Sequence, residues 1–598
     1  MQKTKIKINN REYEVTSGVT ILEACREAAI DIPTLCYMSE INAIGSCRIC
    51  LVEVKGTRSM PAACVQPIAE GMEIFTNTPL VQLSRKFNLE LLLSDHDKDC
   101  LACIRNQNCE LQKMCADFGV DDENRFAGEM KKFPLEDDHP SIVRNNNKCI
   151  KCRRCVATCK KIQGIAVIGL NNRGFDTSIG CAFEAELKDV PCIACGQCIE
   201  SCPVGALYEK DDTEAVWKEL LEPNPEHKKH VVVCAAPSIR VTLGECFGGE
   251  PGEFVEGKMV SALKRLGFDG VYDMDFTADL TVMEEAHELI KRLEGGGKLP
   301  MITSCSPGWV KYCEHYFPEF IPNLSTCKSP QQMFGAIYKT HFAKKLGLDP
   351  KDIFVVSVVP CTAKKFEVTR AGQSAAGEGI RDVDVAITTR ELGRMIMKAG
   401  IIFDRLPDED FDCLIDTASG AGVIFGASGG VMEAALRTAA SLLNEPFERI
   451  TEFENVRGYK KLRKESYQLG KKTLNIAVAS GTAKAKELLN SIKNGEETDL
   501  HFIEVMACKG GCINGGGQPV QPISTRNFGD LWRKRSDSLY ANDKDKPIRR
   551  SHANPLVKAV YEEYLEKPGS ELAHKVLHTH YITRGKHMQS KQRQSPKT

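Results

Sequence analysis

The sequence has no long apolar run and almost no net charge, and these absences exclude several classes of protein. No segment approaches the ~18 consecutive apolar residues that can span a bilayer. The formal net charge is −1, so no overall field attracts nucleic acid or an anionic membrane. The first residues, MQKTKIKINNREYEV, form neither an apolar signal core nor a twin-arginine motif. We therefore expect a cytoplasmic protein that binds neither nucleic acid nor membranes.

Cysteine is the residue that the sequence has in excess, with 27 in 598 residues, most of them before residue 203. Because disulfides are rare in a reducing cytosol, clustered Cys-x-x-Cys spacing indicates metal sites. Zinc and iron–sulfur clusters are the two alternatives, and the spacing of each set has to decide between them. The length favours about four domains of ~150 residues.

The first set of cysteines follows two alternating segments and an amphipathic helix. KIKINN and REYEVT predict paired strands, and TILEACREAAI predicts the helix. Four thiols come next, at Cys36, Cys47, Cys50 and Cys64. Four thiolates can hold zinc, but this arrangement resembles the small β-grasp 2Fe–2S ferredoxin domain of complex I-type and hydrogenase chains. We interpret it as a 2Fe–2S site.

The second set, in HDKDCLACIRNQNC, combines one imidazole with three thiols: His96, Cys100, Cys103 and Cys109. In isolation this set could bind zinc. It lies between other cluster motifs, so we interpret it as a 4Fe–4S site with one histidine ligand.

Two further sets show the bacterial ferredoxin spacing C-x2-C-x2-C-x3-C. In such pairs the fourth cysteine of each run serves the other cluster. The predicted ligand sets are therefore Cys149, Cys152, Cys155 and Cys202 for one 4Fe–4S cluster, and Cys192, Cys195, Cys198 and Cys159 for the other. Together the four sets predict a chain of accessory clusters that carries electrons.

The remaining 370 or so residues have a different pattern. Near-continuous apolar runs such as VVVCAAPS, IFVVSVVPC and LNIAVASG alternate with helical stretches, which is typical of buried parallel strands with crossover helices. Ligands of such sheets bind beyond the carboxyl ends of the strands. Cys305, Cys361 and Cys508 each follow one of these strands, so we expect their side chains to converge.

Three segments at these strand ends carry a resemblance that spans residues 1–580. TSCSPGW, PCTAKKFE and EVMACKGGCINGGGQP are similar to the signature segments of iron-only (FeFe) hydrogenases. The resemblance implies an H-cluster, which is a 4Fe–4S cubane joined through a cysteine sulfur to a di-iron unit with CO, CN⁻ and a dithiolate. It implies that Cys361, Cys508 and Cys512 are cubane ligands, with Cys512 bridging to the di-iron unit.

The resemblance also assigns residues around the di-iron unit. Lys364 would pair with a cyanide ligand, and Pro237, Ser238, Gln331 and Met506 would line the pocket. The glycines after Cys512 would let the backbone approach a bulky cofactor. Protons would pass along Arg292, Glu288, Ser325, Glu285 and Cys305 to the bridgehead amine. On helix spacing alone, Glu285, Glu288 and Arg292 share one face, which also fits a surface ion pair.

One position departs from the family pattern. Family members usually read Thr-Ser-Cys-Cys-Pro, with the second cysteine as the fourth cubane ligand, but Ser306 occupies that position here. Three alternatives follow: Cys305 rotates in as the ligand, Ser306 binds as an alkoxide, or Cys327 supplies the thiolate. Cys305 is the slightly favoured metal ligand, and its role in proton transfer is then in question.

The predicted fold is a multidomain α/β and α+β protein with five parts. These are a β-grasp 2Fe–2S ferredoxin-like domain at 1–78, a small helical 4Fe–4S domain with one histidine and three cysteine ligands at 79–139, a bacterial-type double 4Fe–4S ferredoxin domain at 140–210, a large α/β H-cluster domain with parallel sheets at 211–583, and a disordered basic tail at 584–598.

The predicted function is reversible hydrogen oxidation and proton reduction in anaerobic hydrogen metabolism. Electrons would pass to ferredoxin or to a flavoprotein or NAD-linked subunit, because TSCSPGW resembles the catalytic subunit of NAD-linked, electron-bifurcating hydrogenases and this chain has no nucleotide fingerprint. Hydrogenase maturation proteins would supply the di-iron unit. The alternatives are an electron-transfer iron–sulfur subunit of a dehydrogenase complex, which would lack EVMACKGGCINGGGQP, and a sensory or cluster-assembly relative.

Overall fold

The computed structural model describes residues 2–442, 453–458, 462–469 and 472–586. The first four strands form one sheet in the order β2-β1-β4-β3, with β1 (Lys3–Ile8), β2 (Arg11–Thr16), β3 (Glu53–Val54) and β4 (Glu73–Phe75). β1 pairs with β2 in antiparallel and with β4 in parallel orientation. Helix α1 (Ile21–Glu27) starts at a capping box of Thr20 and Glu23 and packs its apolar face in the same core.

The next region is helical, with two small antiparallel strand pairs. Its elements are α2 (Pro79–Leu93), α3 (Glu110–Asp117), β5 (Ile142–Arg144), α4 (Arg154–Ala157), β6 (Gly169–Asn171), β7 (Ser178–Gly180), α5 (Gln197–Ser201) and β8 (Leu207–Glu209). β5 pairs with β8, and β6 pairs with β7. The core of this region contains cysteines together with ordinary apolar residues such as Leu89 and Ile142. Its packing is therefore organised around thiols.

The large C-terminal region contains two four-stranded sheets. Its strands are β9 (His230–Ala235), β10 (Gly270–Asp273), β11 (Met301–Ile302), β12 (Ile353–Val359), β13 (Val385–Thr388), β14 (Leu462–Leu469), β15 (Lys472–Ser480) and β16 (Phe502–Met506). The order β10-β9-β12-β13 is parallel throughout. The order β11-β16-β15-β14 is parallel except for the antiparallel edge strand β14. This confirms the expected parallel sheets.

Helices flank and connect these strands. They are α6 (Thr213–Leu220), α7 (Glu256–Leu266), α8 (Asp275–Lys291), α9 (Pro307–Tyr316), α10 (Pro330–Ile337), α11 (Ala343–Leu346), α12 (Ala363–Glu367), α13 (Thr389–Lys398), α14 (Gly420–Val423), α15 (Gly430–Leu442), α16 (Thr482–Lys493), α17 (Ile523–Phe528), α18 (Leu531–Asp545), α19 (Pro555–Val560) and α20 (Glu571–Leu577). Among the described residues, no helix is both long and apolar enough to cross a membrane.

The last described segment, from α18 onward, is held against helices α15, α8 and α9 by polar contacts. Arg437 forms a bidentate pair with Asp543 at 2.8 and 2.9 Å, and Asn554 donates to Asp279 at 3.0 Å. Arg584 donates through Nε to Glu314 at 2.6 Å. The predicted disordered tail at 584–598 therefore begins too early, because Arg584 is held in place. Residues 587–598 lie outside the described part of the chain.

Candidate active site

Strand ends from both large sheets meet at one cavity of about 60 Å³. Pro237 and Ser238 follow β9, Cys305 follows β11, and Cys361 follows β12. The residues lining the cavity are Ala236, Pro237, Ser238, Met274, Ala278, Cys305, Ser306, Pro330, Gln331, Val359, Pro360, Cys361, Lys364, Phe425, Gly426, Met506 and Cys512. The carboxyl ends of the strands therefore form the site, as sheet topology predicts.

Three thiols at this site lie close enough to influence one another. Burial, followed by the charges of Cys361, Cys195 and Cys512, raises the pKa of Cys508 far above its usual range. Burial and the charge of Cys361 raise the pKa of Cys512 to about 12. Grouped thiols that resist ionisation on their own fit a cationic cluster, since a bound metal removes their protons and thiolate is a ligand that iron–sulfur clusters use.

The structure separates the three candidates for the fourth ligand. Cys305 and Ser306 both line the cavity, whereas Cys327 does not. The Ser306 hydroxyl accepts a hydrogen bond from the Ala507 amide at 3.3 Å, directly beside Cys508. Burial and then the charges of Glu285 and Cys512 raise the pKa of Cys305. Ser306 therefore lies at the thiol end of the cavity, and Cys305 lies toward the carboxylates.

A buried polar cluster forms another wall. Lys364 Nζ lies 2.9 Å from Glu367 Oε2, and Gln331 Nε2 donates to the same oxygen at 2.8 Å. Ser357 donates to Gln331 Oε1 at 2.7 Å. The Lys364 ammonium opposes the effect of burial on the pKa of Cys361. It therefore supplies positive charge where a cofactor with anionic ligands would sit.

The outer three of the five predicted proton-transfer residues form a hydrogen-bonded chain. Arg292 Nε donates to Glu288 Oε1 at 3.1 Å, and Ser325 Oγ donates to Glu288 Oε2 at 2.9 Å. Glu285 is fully buried, and its carboxyl oxygens make no hydrogen bond of normal geometry within the described ranges. The Ser325 hydroxyl and the Ser304 amide nevertheless lie close enough to it to oppose the rise of its pKa. Burial and then the charge of Glu288 raise the pKa of Glu285 to about 8. This carboxyl can therefore hold and release a proton near neutral pH.

The opposite side of the site is interlocked with the double-ferredoxin region. Gln197 Nε2 donates to Cys508 Sγ at 3.4 Å and to the Asn514 carbonyl at 2.8 Å. Thr362 Oγ1 donates to the Ala194 carbonyl at 2.7 Å. Arg390, which is almost fully buried, bonds Glu200 and Glu209 on one side and the Gly516 carbonyl on the other. The loop carrying Cys195 thus lies directly against the loops carrying Cys361 and Cys508.

The glycines after Cys512 pack closely against neighbouring segments of the chain. A Cβ atom at Gly515 would collide with the Pro360 carbonyl, and one at Gly516 with the Cys195 carbonyl and Gly196 Cα. A Cβ at Gly517 would meet Thr388. These glycines permit close approach to neighbouring protein backbone, which is a role that the sequence did not indicate; their predicted role toward the cofactor stays a prediction.

The two ferredoxin-type runs pair as their spacing predicts. Cys149, Cys152 and Cys155 surround one small cavity together with Cys202 from the second run. Cys159 from the first run lies close enough to Cys192 for its charge to contribute to the raised pKa, after burial. The structure thus brings together both predicted sets of four.

The two N-terminal sets both lie beside the Cys149 cavity. Cys36 lies beside Cys47, whose hydrogen bond lowers the pKa of Cys36 to about 6, and Cys50 lies beside Cys64. Asn42 Nδ2 bridges the carbonyls of Cys36 and Cys152, at 2.7 and 3.1 Å.

The histidine-containing set contacts the same cavity from another direction. Arg105 donates to the Cys202 carbonyl at 3.4 Å. Burial lowers the pKa of His96 to about 4, which leaves a neutral imidazole suited to a metal. The four sets therefore form two branches that join at the Cys149 cavity, rather than the single series expected.

Sequence reasoning missed several residues of the site. Met274, Phe425 and Gly426 line the cavity, and they lie outside the three signature segments. Glu367 anchors Lys364, Gln331 and Ser329. Its signal was available, because it lies one turn after Lys364 on α12 and ends the segment PCTAKKFE.

Comparison with known proteins agrees with this geometry along the chain. Five family models match: a 2Fe–2S cluster binding domain at 1–79, an NADH-ubiquinone oxidoreductase-G iron–sulfur binding region at 85–124, an NADH-quinone oxidoreductase subunit 3 ferredoxin-like domain at 139–208, the C-terminal domain of the iron-only hydrogenase large subunit at 229–516, and the iron hydrogenase small subunit at 529–584.

Curated relatives match over nearly the whole length. The NADP-reducing hydrogenase subunit HndD of Solidesulfovibrio fructosivorans is 46% identical over 597 residues, covering 98% of this chain and 100% of that protein. Iron hydrogenase 1 of Clostridium pasteurianum is 41% identical, covering 96% and 99%. The chain belongs to the iron-only hydrogenase family. It is therefore an FeFe hydrogenase-type oxidoreductase with 2Fe–2S, 4Fe–4S and H-cluster domains.

Two further matches show that proteins similar to this chain carry different names and functions. The solved structure of a variant of apo [FeFe]-hydrogenase HydA1 from Chlamydomonas reinhardtii has a TM-score of 0.56 at 37% identity and covers 62% of this chain and 99% of that chain. Cytosolic iron–sulfur assembly component 3 of Bos taurus is 30% identical, covering 76% of this chain and 96% of that protein. Family membership alone therefore does not define the reaction of every member.

Proposed function

We propose that this hydrogenase-family chain interconverts H₂ with two protons and two electrons at an H-cluster. The observation that carries the proposal is the pairing of two routes at one cavity. On one side, Arg292, Glu288 and Ser325 are linked by hydrogen bonds, and the buried Glu285 lies between this chain and Cys305 at the cavity wall. On the other side, a loop that carries thiols reaches the cavity. Hydrogen turnover needs both routes, since protons and electrons leave separately.

Cys361, Cys508 and Cys512 would hold the cubane, and the Ser306 hydroxyl would be its fourth ligand. Ser306 is preferred over Cys305 because its oxygen lies beside the Ala507 amide, next to Cys508. When bound, the H-cluster supplies the iron site and the amine base for heterolytic cleavage of H₂. The chain supplies the thiolates, the Lys364 ammonium and an apolar wall that includes Met506 and Phe425, which limits access of water.

The proton route starts at Arg292 and Glu288 near the surface. Ser325 can donate to and accept from the carboxylates on either side of it, because a hydroxyl has both capacities. Glu285 holds a proton at a pKa of about 8 and would exchange it with Cys305. In this assignment Cys305 remains the last protein group of the proton route and is not a metal ligand.

The set that includes Cys195 would hold the cluster next to the active site and so supply the exit for electrons. The Cys149 set, which both N-terminal branches contact, would hold the next cluster. We place one 2Fe–2S cluster on Cys36, Cys47, Cys50 and Cys64, and three 4Fe–4S clusters on the other three sets. Two branches offer two docking points for electron carriers. Ferredoxin, or a cytoplasmic partner subunit that binds flavin and NAD(P), fits this arrangement, and the similarity to an NADP-reducing hydrogenase subunit supports the second.

The test is hydrogen evolution from a reduced viologen, using protein that has received its di-iron unit from hydrogenase maturation proteins. We expect turnover together with infrared bands from iron-bound CO and CN⁻. Full CO and CN⁻ bands without any turnover would contradict the enzymatic proposal and favour the sensory or assembly alternative.

Co-purification from the native host, followed by flavin analysis, tests the partner; an isolated chain that reduces only ferredoxin would exclude the NAD(P)-linked assignment.

A further inference from the structure

Cys327, which the site does not use, lies in a compact cluster with a histidine and a carboxylate. Ligand atoms of Glu288, Cys327 and His578 all lie within 4.8 Å of one another. Cys327 is fully buried, and its Sγ lies 3.9 Å from Glu288 Oε2. A thiolate, an imidazole and a carboxylate are the ligand types that Zn²⁺ binds in proteins. This arrangement differs from the iron–sulfur sets, because only one of its donors is sulfur.

The backbone holds two of these donors in fixed register. Cys327 and His578 face each other as an antiparallel bridge. The bridge is flanked by hydrogen bonds from the Thr579 amide to the Thr326 carbonyl and from the Lys328 amide to the Leu577 carbonyl, each of 2.8 Å. The spacing of the thiol and imidazole is therefore set by paired backbone and does not depend on flexible loops.

The imidazole is also oriented as a metal ligand would be. His578 Nε2 lies 3.1 Å from Glu284 Oε2, and Nδ1 lies 2.8 Å from Thr326 Oγ1. Metal-binding histidines commonly donate the second ring N–H to a carboxylate, which fixes the ring and raises the basicity of the ligating nitrogen. With Nε2–H directed to Glu284, Nδ1 is the acceptor nitrogen. It accepts from the Thr326 hydroxyl in this structure and would exchange that hydrogen bond for the metal. The exposed ring of His574, centred 4.2 Å from that of His578, marks the access route from solvent.

We propose that Glu288, Cys327 and His578 form a binding site for a single Zn²⁺ or similar soft divalent cation. Binding replaces the Cys327 thiol proton, which is released to solvent, with Zn–S, Zn–N and Zn–O bonds, and water completes the tetrahedral shell. The site lies outside the H-cluster and the accessory sets, so it goes beyond the proposed function.

Occupancy of this site has a consequence that does rest on the proposed function. Glu288 Oε2 is the atom that accepts from Ser325. A metal bound to that carboxylate removes its capacity to take up a proton and so interrupts the proton route between Arg292 and Glu285. The bound cation would inhibit turnover while leaving every iron centre intact.

The binding test uses the full cluster-loaded chain, equilibrated with chelator-buffered Zn²⁺, then analysed for metal content and by zinc K-edge X-ray absorption. We expect one zinc per chain with a single sulfur at about 2.3 Å and nitrogen or oxygen at about 2.0–2.2 Å. Cys327→Ser and, independently, His578→Gln should each lose this zinc. Cys413→Ala removes an exposed thiol elsewhere and should keep it.

Zinc that persists in both variants, or that shows several sulfur ligands, would overturn the proposal, because such zinc would have replaced iron in a cluster site.

Viologen-driven hydrogen evolution is the second readout. Zinc should slow the parent at least tenfold with unchanged CO and CN⁻ bands, and should leave Cys327→Ser at its own zinc-free rate. Binding is measured without turnover, so an inactive parent that still binds one zinc would contradict only the proposed function.

Discussion

The two routes that meet at the cavity are built from opposite kinds of contact. On the proton side, Arg292, Glu288 and Ser325 form hydrogen bonds of about 3 Å. On the electron side, the loops of Cys195 and Cys508 are joined by close backbone packing and by hydrogen bonds from Gln197 and Arg390. A proton moves only between groups that can bind it, so that side needs titratable side chains. An electron crosses through packed protein, so that side needs only closeness and a dry environment.

Removing a residue that both routes share should have the largest effect. Cys361→Ala deletes a thiol at the junction, and we expect hydrogen evolution to fall below detection, since the remaining thiols cannot hold the cluster. Iron analysis and viologen assays measure the loss. Cys413→Ala, an exposed cysteine, is the control and should keep both; retained turnover in Cys361→Ala would remove this cysteine from the site.

Glu285→Gln should block proton transfer and leave electron transfer unchanged. Loss of a positioned proton-transfer group costs about 10²–10⁴-fold in rate, and we expect that range with unchanged infrared and electron paramagnetic resonance signals. Glu284→Gln is the matched control on the same helix, because Glu284 binds Tyr561 and His578 and not the route. Equal losses in both variants would contradict a specific role for Glu285.

The pH dependence should reveal the same carboxyl. With a pKa near 8, Glu285 carries a proton below that pH and is ionised above it. Hydrogen evolution, which needs the protonated form, should fall about tenfold per pH unit above 8. Hydrogen oxidation needs the ionised form and should rise toward a plateau there. Initial rates in both directions from pH 3.5 to 10 test this; a transition near pH 4.5 in both would show an unperturbed carboxyl.

Gly516→Ala should disturb the electron side without removing any titratable group. The added Cβ would press on the Cys195 carbonyl, and such overpacking costs about 1–3 kcal/mol. Chemical denaturation should show this loss, and ferredoxin-linked turnover should slow. Gly128→Ala places a methyl in open space and should be neutral; equal stability of the two variants would show that the loops can separate freely.

The smallest effect is expected for Gln197→Leu. This change removes the hydrogen bond to Cys508 Sγ, which is worth about 1 kcal/mol and hence ~40 mV in a one-electron potential. The cubane potential should fall, because hydrogen bonds to sulfur favour the reduced cluster. Redox titration followed by electron paramagnetic resonance measures the shift; an unchanged potential would mean that packing alone sets this side.

Much of this arrangement could be predicted, because ligand spacing is local. The runs at Cys149 and Cys192 give the sets that the structure assembles, and cysteines after parallel strands converge as topology requires. What sequence could not give depended on distant contacts. Cys327 faces Glu288 instead of the cavity because its backbone bridges to that of His578, 251 positions further along the chain. The glycine-rich segment packs against the backbone of Cys195 and Pro360. The spacing of residues in the sequence cannot predict this contact.

The buried position of Arg390 has a consequence for how this chain could change over evolution. Its guanidinium is shared between Glu200 and Glu209 of the ferredoxin region and a carbonyl of the cysteine loop. If residues 1–210 were removed, the Arg390 guanidinium would face water without its partners Glu200 and Glu209. The glycines that pack against Cys195 and Gly196 would leave a gap in the exposed surface. A shorter relative that lacks the ferredoxin region should therefore differ from this chain at Arg390, by a polar replacement, and at the glycines, by side chains that fill the gap.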